Sequence, residues 1–259
     1  MLMDIFGNLS KLFIRPPRNN YSASQLGNDK FFINRIAIIR HDFEVMNHLG
    51  QKIVCSHFRP LKQSEIAEKL PVVIYCHGNA GSRIEPISLI YHLLPLNITL
   101  LCFDFTGSGM SEGEFVTLGH NEVQDLHHVI KYAYENLPVD FIFLWGRSMG
   151  AYTSLKYPDP DSRITGIIAD SPYFSLMDMI MEQNGIVNVV PAMIKRSAAG
   201  FIRQNILTKC NLDIYEESLA KTKLRKPLLL IIARDDTLVS SVHSEKIIKV
   251  SQLLQLHFF

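Results

Sequence analysis

The sequence lacks the features that mark several common protein classes. It has no apolar run of about 18 residues, the length a membrane-spanning helix needs. It has no charge block, since 26 basic residues face 25 acidic ones for a net charge of +1. That excludes both the basic stripe of a nucleic-acid binder and the like-charged tail of a disordered segment. Cysteine is sparse and scattered, at Cys55, Cys76, Cys102 and Cys210. No pair has metal-site spacing. Cys76 and Cys102 fall inside apolar runs, so they read as buried thiols in a reducing, cytoplasmic setting. Position 2 is not glycine and no cysteines cluster, so no lipid anchor is visible. The N-terminus carries Asp4 and lacks a long apolar core, which makes it a poor signal peptide. Repeats and low-complexity segments are also missing.

What is present is a long, apolar chain. At 259 residues and 47% hydrophobic content it suits one large domain or two small ones, with a sizeable core. Leu2, Ile5, Phe6, Leu9, Leu12 and Phe13 recur at helical spacing, followed by Lys11, Arg15 and Arg18. Two readings fit this segment: peripheral membrane contact through residues 2–18, or docking on its own domain. The expected division is an N-terminal amphipathic segment over 1–30 and a domain over 31–259.

Within the domain, β-branched apolar runs alternate with helical patterns. "NRIAIIRHDF" and "QKIVCSHF" read as an antiparallel pair around the turn at Asn47 to Gly50. "PVVIYCH" (71–77), "NITLLCFDF" (97–105), "FIFLW" (141–145), "ITGIIAD" (164–170) and "PLLLIIARDD" (227–236) read as buried strands. Residues 84–94 look helical. In 120–137, Val123, Leu126, Ile130, Ala133, Tyr134 and Leu137 line one helix face. Continuous apolar strands separated by helices mean a mostly parallel sheet covered on both faces. The Met- and Ile-rich stretch from Ser171 to Arg225 breaks this rhythm. It reads as a small helical insertion, either a lid or a lengthened crossover.

"LWGRSMGA" (144–151) sets Ser148 between Gly146 and Gly150 at the end of one such strand. A Gly-x-Ser-x-Gly motif alone says little. After a buried strand and before a helical pattern, it is the context of a nucleophile elbow, the strained turn that lifts a serine hydroxyl above a sheet. A lone serine needs a base, and the base needs a carboxylate to orient it. "LLLIIARDDTLV" supplies Asp235 and Asp236 at the end of a later strand. Asp236 is favoured, because Val239 completes an Asp-x-x-apolar pattern. Oxyanion donors would come from the N–H of Met149, next to the serine, and of Asn79 in "HGNAGS" (77–82). His77 precedes the serine and reads as a structural residue of that loop.

In order and spacing, "HGNAGS", "DFTGSGMSEG", "LWGRSMGA", "ADSPYFSL" and "ARDDTLV" resemble the α/β-hydrolase superfamily, most nearly its serine aminopeptidase/ABHD-like group, which includes protein depalmitoylases. The resemblance covers roughly residues 35 to 250. It implies a sheet of about eight strands, a Ser–Asp–His triad acting on an ester, thioester or amide, and no cofactor and no metal. The substrate would be a small acyl compound or an acylated protein or peptide. Asp104 would organise its loop rather than serve the triad. Depalmitoylases of the group carry an N-terminal cysteine cluster, which this chain lacks.

The base has the weakest signal. The family histidine follows the acid after a final strand, in a Gly-x-His loop. After Asp236 only His243 and His257 remain. His243, in "SSVHSEKIIKV", opens a helical pattern and matches a non-catalytic histidine of similar proteins. His257, in "LQLHFF", lacks the preceding glycine. Either His257 serves from a shortened last strand, or the last strand and helix are truncated before the base. The expected catalytic set is therefore Ser148, Asp236 and His257. The alternative is a non-catalytic fold relative that binds a lipid or a protein partner.

Overall fold

The computed structural model describes residues 10–11, 13–61, 69–158, 163–182, 192–233, 236, 239–251 and 254–258, with the backbone alone for 192–198 and 254–258. Among the described residues, nine strands form one sheet: β1 (Lys30–Ile33), β2 (Ile36–Met46), β3 (Lys52–Pro60), β4 (Leu70–Cys76), β5 (Thr99–Phe103), β6 (Val139–Arg147), β7 (Ile164–Asp170), β8 (Leu228–Ile232) and β9 (Leu254–Phe258). Their spatial order is β1-β2-β3-β5-β4-β6-β7-β8-β9. The first three strands form an antiparallel meander that joins β5 antiparallel. From β5 to β9 all pairs are parallel. β1 is an addition to the anticipated sheet, and its side chains read as exposed except at Ile33 and, partly, Phe31.

The parallel strands are apolar on both faces, as expected of a sheet sandwiched between helices. All five residues of β5 are buried, and in β4 only Pro71 is partly open. The expected helix over 120–137 forms as α1 (Glu122–Asn136). Its buried stripe is Val123, Leu126, Val129, Ile130 and Ala133. Tyr134 does not join it: it is 53% exposed and lies under the Arg163 guanidinium, 4.9 Å from its ring centre. The next helices are α2 (Met149–Lys156), α3 (Leu176–Glu182), α4 (Ala192–Cys210) and α5 (Ser241–Val250). Thus α3 and α4 fill the insertion between β7 and β8. The expected helix over 84–94 forms in part, as a continuous helical run that alternates tighter and α-type turns at Ile87–Leu89, Ile90–Leu93 and Leu94–Leu96. Pro86 stands at the N-cap of this run, and Pro95 removes an N–H donor from its last turn.

At the N-terminus, Phe13 and Ile14 are buried in the main core cluster, at 5% and 0% exposure. These two side chains are packed against the domain rather than turned to a surface. Residues 1–9 and Leu12 lie outside the described residues. Among the described residues, no helix is long and apolar enough to cross a membrane.

One buried histidine gives the fold a testable acid sensitivity. His57 in β3 is 1% exposed, and neither ring nitrogen has a hydrogen-bond partner among the described residues. Burial, with Arg59 and His41 nearby, lowers its pKa from 6.5 to about 3. The native state therefore holds His57 neutral while the unfolded chain binds a proton below pH 6.5. Stability from this group is present above pH 6.5 and is lost as pH falls toward the folded value. Between pH 7 and pH 5 the loss should be about 2 kcal/mol. In urea titrations, His57→Phe is expected to lose about 2 kcal/mol less than the parent over that interval. Equal losses would show that the ring is solvated.

Candidate active site

The chain leaves β4 toward β5 on one side and later returns to β6 on the other. A crevice opens outside the C-terminal ends of the strands where the direction reverses, and such crevices are where open parallel sheets bind ligands. The loop after β4 carries "HGNAGS", and the turn after β6 carries Ser148.

Ser148 has φ 51° and ψ −110°, a conformation an L-residue adopts only under constraint. The constraint is visible on both sides. Its N–H donates to the Asp170 carbonyl at 2.8 Å, and its carbonyl accepts from the Tyr152 N–H at 2.9 Å. The flanking glycines leave no room for side chains. A Cβ on Gly146 would stand 2.2 Å from the Gly150 carbonyl oxygen, and one on Gly150 would stand 1.9 Å from that of Cys76. Ser148 is therefore perched between strand and helix with its side chain capping nothing in α2.

Met149 is the first residue of α2. Its amide is one of those a helix leaves without an internal partner, at the positive end of the helix dipole. Asn79 lines the same cavity as Met149 from the β4 loop. Its Nδ2 donates to the Phe13 carbonyl at 3.3 Å, while its Oδ1 is buried without a partner among the described residues. The loop is pinned by His77, which is fully buried. His77 Nδ1 donates to the Gly78 carbonyl at 2.7 Å, and Nε2 accepts from the Phe105 N–H at 3.0 Å. Burial lowers its pKa and holds it neutral. Asp104 is occupied in its own loop. It accepts from the Arg83 N–H at 2.7 Å, the Met110 N–H at 2.9 Å and the Tyr21 hydroxyl at 2.6 Å.

Asp236 follows β8, with its Oδ1 accepting from the Val239 N–H at 3.0 Å. This is the turn that the Asp-x-x-apolar spacing foreshadows. Asp235 lies outside the described residues. A second carboxylate, Asp170 at the end of β7, shares the site. Burial raises its pKa, opposed by a hydrogen bond from Ser171 and by the Arg147 guanidinium. Arg147 is itself tied to Glu85 at 2.6 Å. Asp170 ends the strand "ITGIIAD" and opens the family-like motif "ADSPYFSL", neither of which gives it a role in the site from sequence alone.

Ser148, Met149, Asn79, Asp170 and Asp236 line one cavity of about 390 Å³, together with Phe13, Gly78, Ala80, Leu118, Arg147, Ser171, Tyr173, Met179 and Val239. No histidine is among these described lining residues. His243 lies in α5 and is buried, with Nδ1 accepting from the Phe174 N–H at 3.0 Å and Nε2 3.1 Å from the Glu182 carboxylate. His257 is in β9, paired with Ile231. Its imidazole lies outside the described residues. The register is informative: Arg147 pairs with Asp170, Asp170 with Ile231 and Ile231 with His257. His257 thus shares a sheet row with the residue before Ser148, three strand spacings of about 4.8 Å away.

A family model described as alpha/beta hydrolase fold matches residues 71–212, just over half of the chain. The Pyrococcus furiosus esterase Pf2001 superposes with a TM-score of 0.64 at 26% identity, over 94% of this chain and 88% of that one. The acetyl xylan esterase of Paenibacillus sp. R4 superposes with a TM-score of 0.67 at 14% identity, over 100% of this chain and 86% of that one. Among curated proteins, an uncharacterized protein of Acanthamoeba polyphaga mimivirus, R595, is 28% identical over 118 residues. The match takes in 42% of this chain and 40% of the viral protein's length. The elbow, the sheet order and the family match agree, and the chain belongs to the alpha/beta hydrolase fold family.

Proposed function

We propose that the chain is a serine hydrolase that cleaves a carboxylic ester through an acyl-enzyme on Ser148, within the serine aminopeptidase/ABHD-like group of the family. The observation that carries this is Ser148 itself. A serine held at positive φ between two glycines with no space for side chains is costly, of order 1–3 kcal/mol, and such strain clusters at functional sites. The similarity to the Pf2001 esterase supports an ester as substrate.

In this reading the Ser148 Oγ attacks the acyl carbon and passes its proton to His257. The N–H groups of Asn79 and Met149 receive the oxyanion, and Asp236 orients the imidazole. The ester C–O bond breaks, the alcohol leaves with the proton, and water then hydrolyses the acyl-enzyme. A specific observation favours a second reading, a non-catalytic protein that binds a lipid or a partner in the same cavity. His257 lies three strands away along the sheet row of Arg147, the residue before Ser148, a long reach for an imidazole.

A fluorophosphonate probe separates the two, because only an activated serine reacts with it. The expected result is labelling of the purified chain at Ser148, reduced about 10³-fold or more in His257→Ala. Absence of labelling in the parent chain would overturn the hydrolase reading. Full labelling of the His257→Ala protein would remove His257 as the base.

A further inference from the structure

The cavity around Ser148 has one wall from a distant part of the chain. Phe13 lines it, far in sequence from the other lining residues. Ser10, Lys11, Phe13 and Ile14 are helical, and the segment that follows is clamped to the domain at several points. The Phe13 carbonyl accepts from the Asn79 side chain at 3.3 Å, and the Ile14 carbonyl accepts from the Val116 N–H at 2.8 Å. Arg15 pairs with Glu114 at 2.8 Å. Arg18 donates to three carbonyls of one loop, those of Gly109 at 3.3 Å, Ser111 at 2.7 Å and Gly113 at 2.6 Å. Phe13 is thus held in place by both the β4 loop and the loop that follows β5.

The rest of the apolar wall comprises Leu118, Tyr173, Met179 and Val239. Tyr173 is fixed: it is 1% exposed and stacks on Tyr152 with ring centres 4.4 Å apart. Met179 is an adaptable thioether that yields to a ligand. Among the described residues of the N-terminal segment, Phe13 is the one large, rigid apolar side chain that lines the cavity. At about 390 Å³ the cavity lies near the low end of the roughly 300–1,000 Å³ range of ligand pockets. That volume suits a short acyl group.

We propose that Phe13 is a specificity-determining residue, the end wall of the acyl pocket, which limits this protein to short-chain acyl substrates. This rests on the hydrolase reading above. Removing the ring opens the pocket along the acyl chain, and each further methylene buried there strengthens binding by about fourfold. A merely structural Phe13 would act differently. Its truncation would loosen the β4 loop and lower turnover of every ester by the same factor.

The test is the ratio of kcat/KM for p-nitrophenyl octanoate over p-nitrophenyl butyrate, in the parent, Phe13→Ala and Phe13→Leu. The ratio cancels losses of folded protein. It is expected to rise about tenfold or more in Phe13→Ala and less in Phe13→Leu. An unchanged ratio, with both esters falling together, overturns the proposal. Phe13→Leu keeps most of the apolar volume and decides the matter should Phe13→Ala fail to fold. Binding of octanoate and butyrate to the same proteins, read by isothermal titration, tests the pocket without the chemistry. If no ester is turned over and Ser148 is not labelled, the hydrolase reading fails. Tighter octanoate binding in the Phe13 variants then still supports the wall, and equal binding refutes it.

Discussion

Ser148→Ala is expected to lower ester turnover by about 10⁴- to 10⁶-fold while leaving the fold unchanged. The two halves of this expectation have separate grounds. Turnover collapses because, among the described lining residues, the remaining polar side chains are the Asp170 and Asp236 carboxylates, the Asn79 amide, the Arg147 guanidinium, the Ser171 hydroxyl and the Tyr173 phenol, which donates to the Leu118 carbonyl. Ser171 sits after β7, beyond the elbow, and lacks the two adjacent glycines. What rate remains reflects oxyanion stabilisation and binding alone. Stability should move by less than about 1 kcal/mol. The Ser148 hydroxyl caps nothing in α2, and alanine inherits the same strained φ of 51°. Initial rates on a p-nitrophenyl ester and a thermal melt of the same preparation check both halves. Turnover that persists at the parent rate would remove Ser148 from the mechanism.

Gly150→Val is expected to destabilise the protein by more than about 4 kcal/mol, a large share of the 5–15 kcal/mol typical of a domain. The reason is what a side chain would meet. A Cβ there stands 1.9 Å from the Cys76 carbonyl oxygen, 2.4 Å from its carbon and 2.7 Å from the His77 oxygen. These are backbone atoms at the end of β4, where the "HGNAGS" loop begins, so no rotamer change relieves the clash. Either α2 lifts off the sheet or β4 shifts. In both cases Ala151, Tyr152 and Leu155 lose their places in the core. Circular-dichroism melts, or loss of soluble protein on expression, provide the readout. A variant melting within about two degrees of the parent would show that the helix does not cross the strand closely there.

The sequence by itself determined the parts that depend on local chemistry. Runs such as Val72–Cys76 and Leu100–Phe103 are apolar throughout, and only strands covered on both faces can bury every residue of such a run. Gly146 and Gly150 declared the tight turn because a missing Cβ is a property of the residue itself. Asp236 with Val239 was readable for the same reason, since the bond between them spans three positions. Only the tertiary structure decided what depends on residues distant in sequence. Tyr134 fits the helical period of α1 yet stays outside, because burial depends on the neighbour each helix face meets. Asp170 entered the cavity through the parallel register of β6 and β7, which no local pattern encodes. Phe13 read as one apolar residue of an amphipathic segment. Its place beside Ser148 follows from Asn79, Val116 and the Arg18 contacts, which tie residues 13–18 to the loops after β4 and β5. The row that sets His257 three strands from the elbow is likewise a product of strand order. Periodicity identifies a strand, but its neighbours are chosen only when the whole sheet assembles.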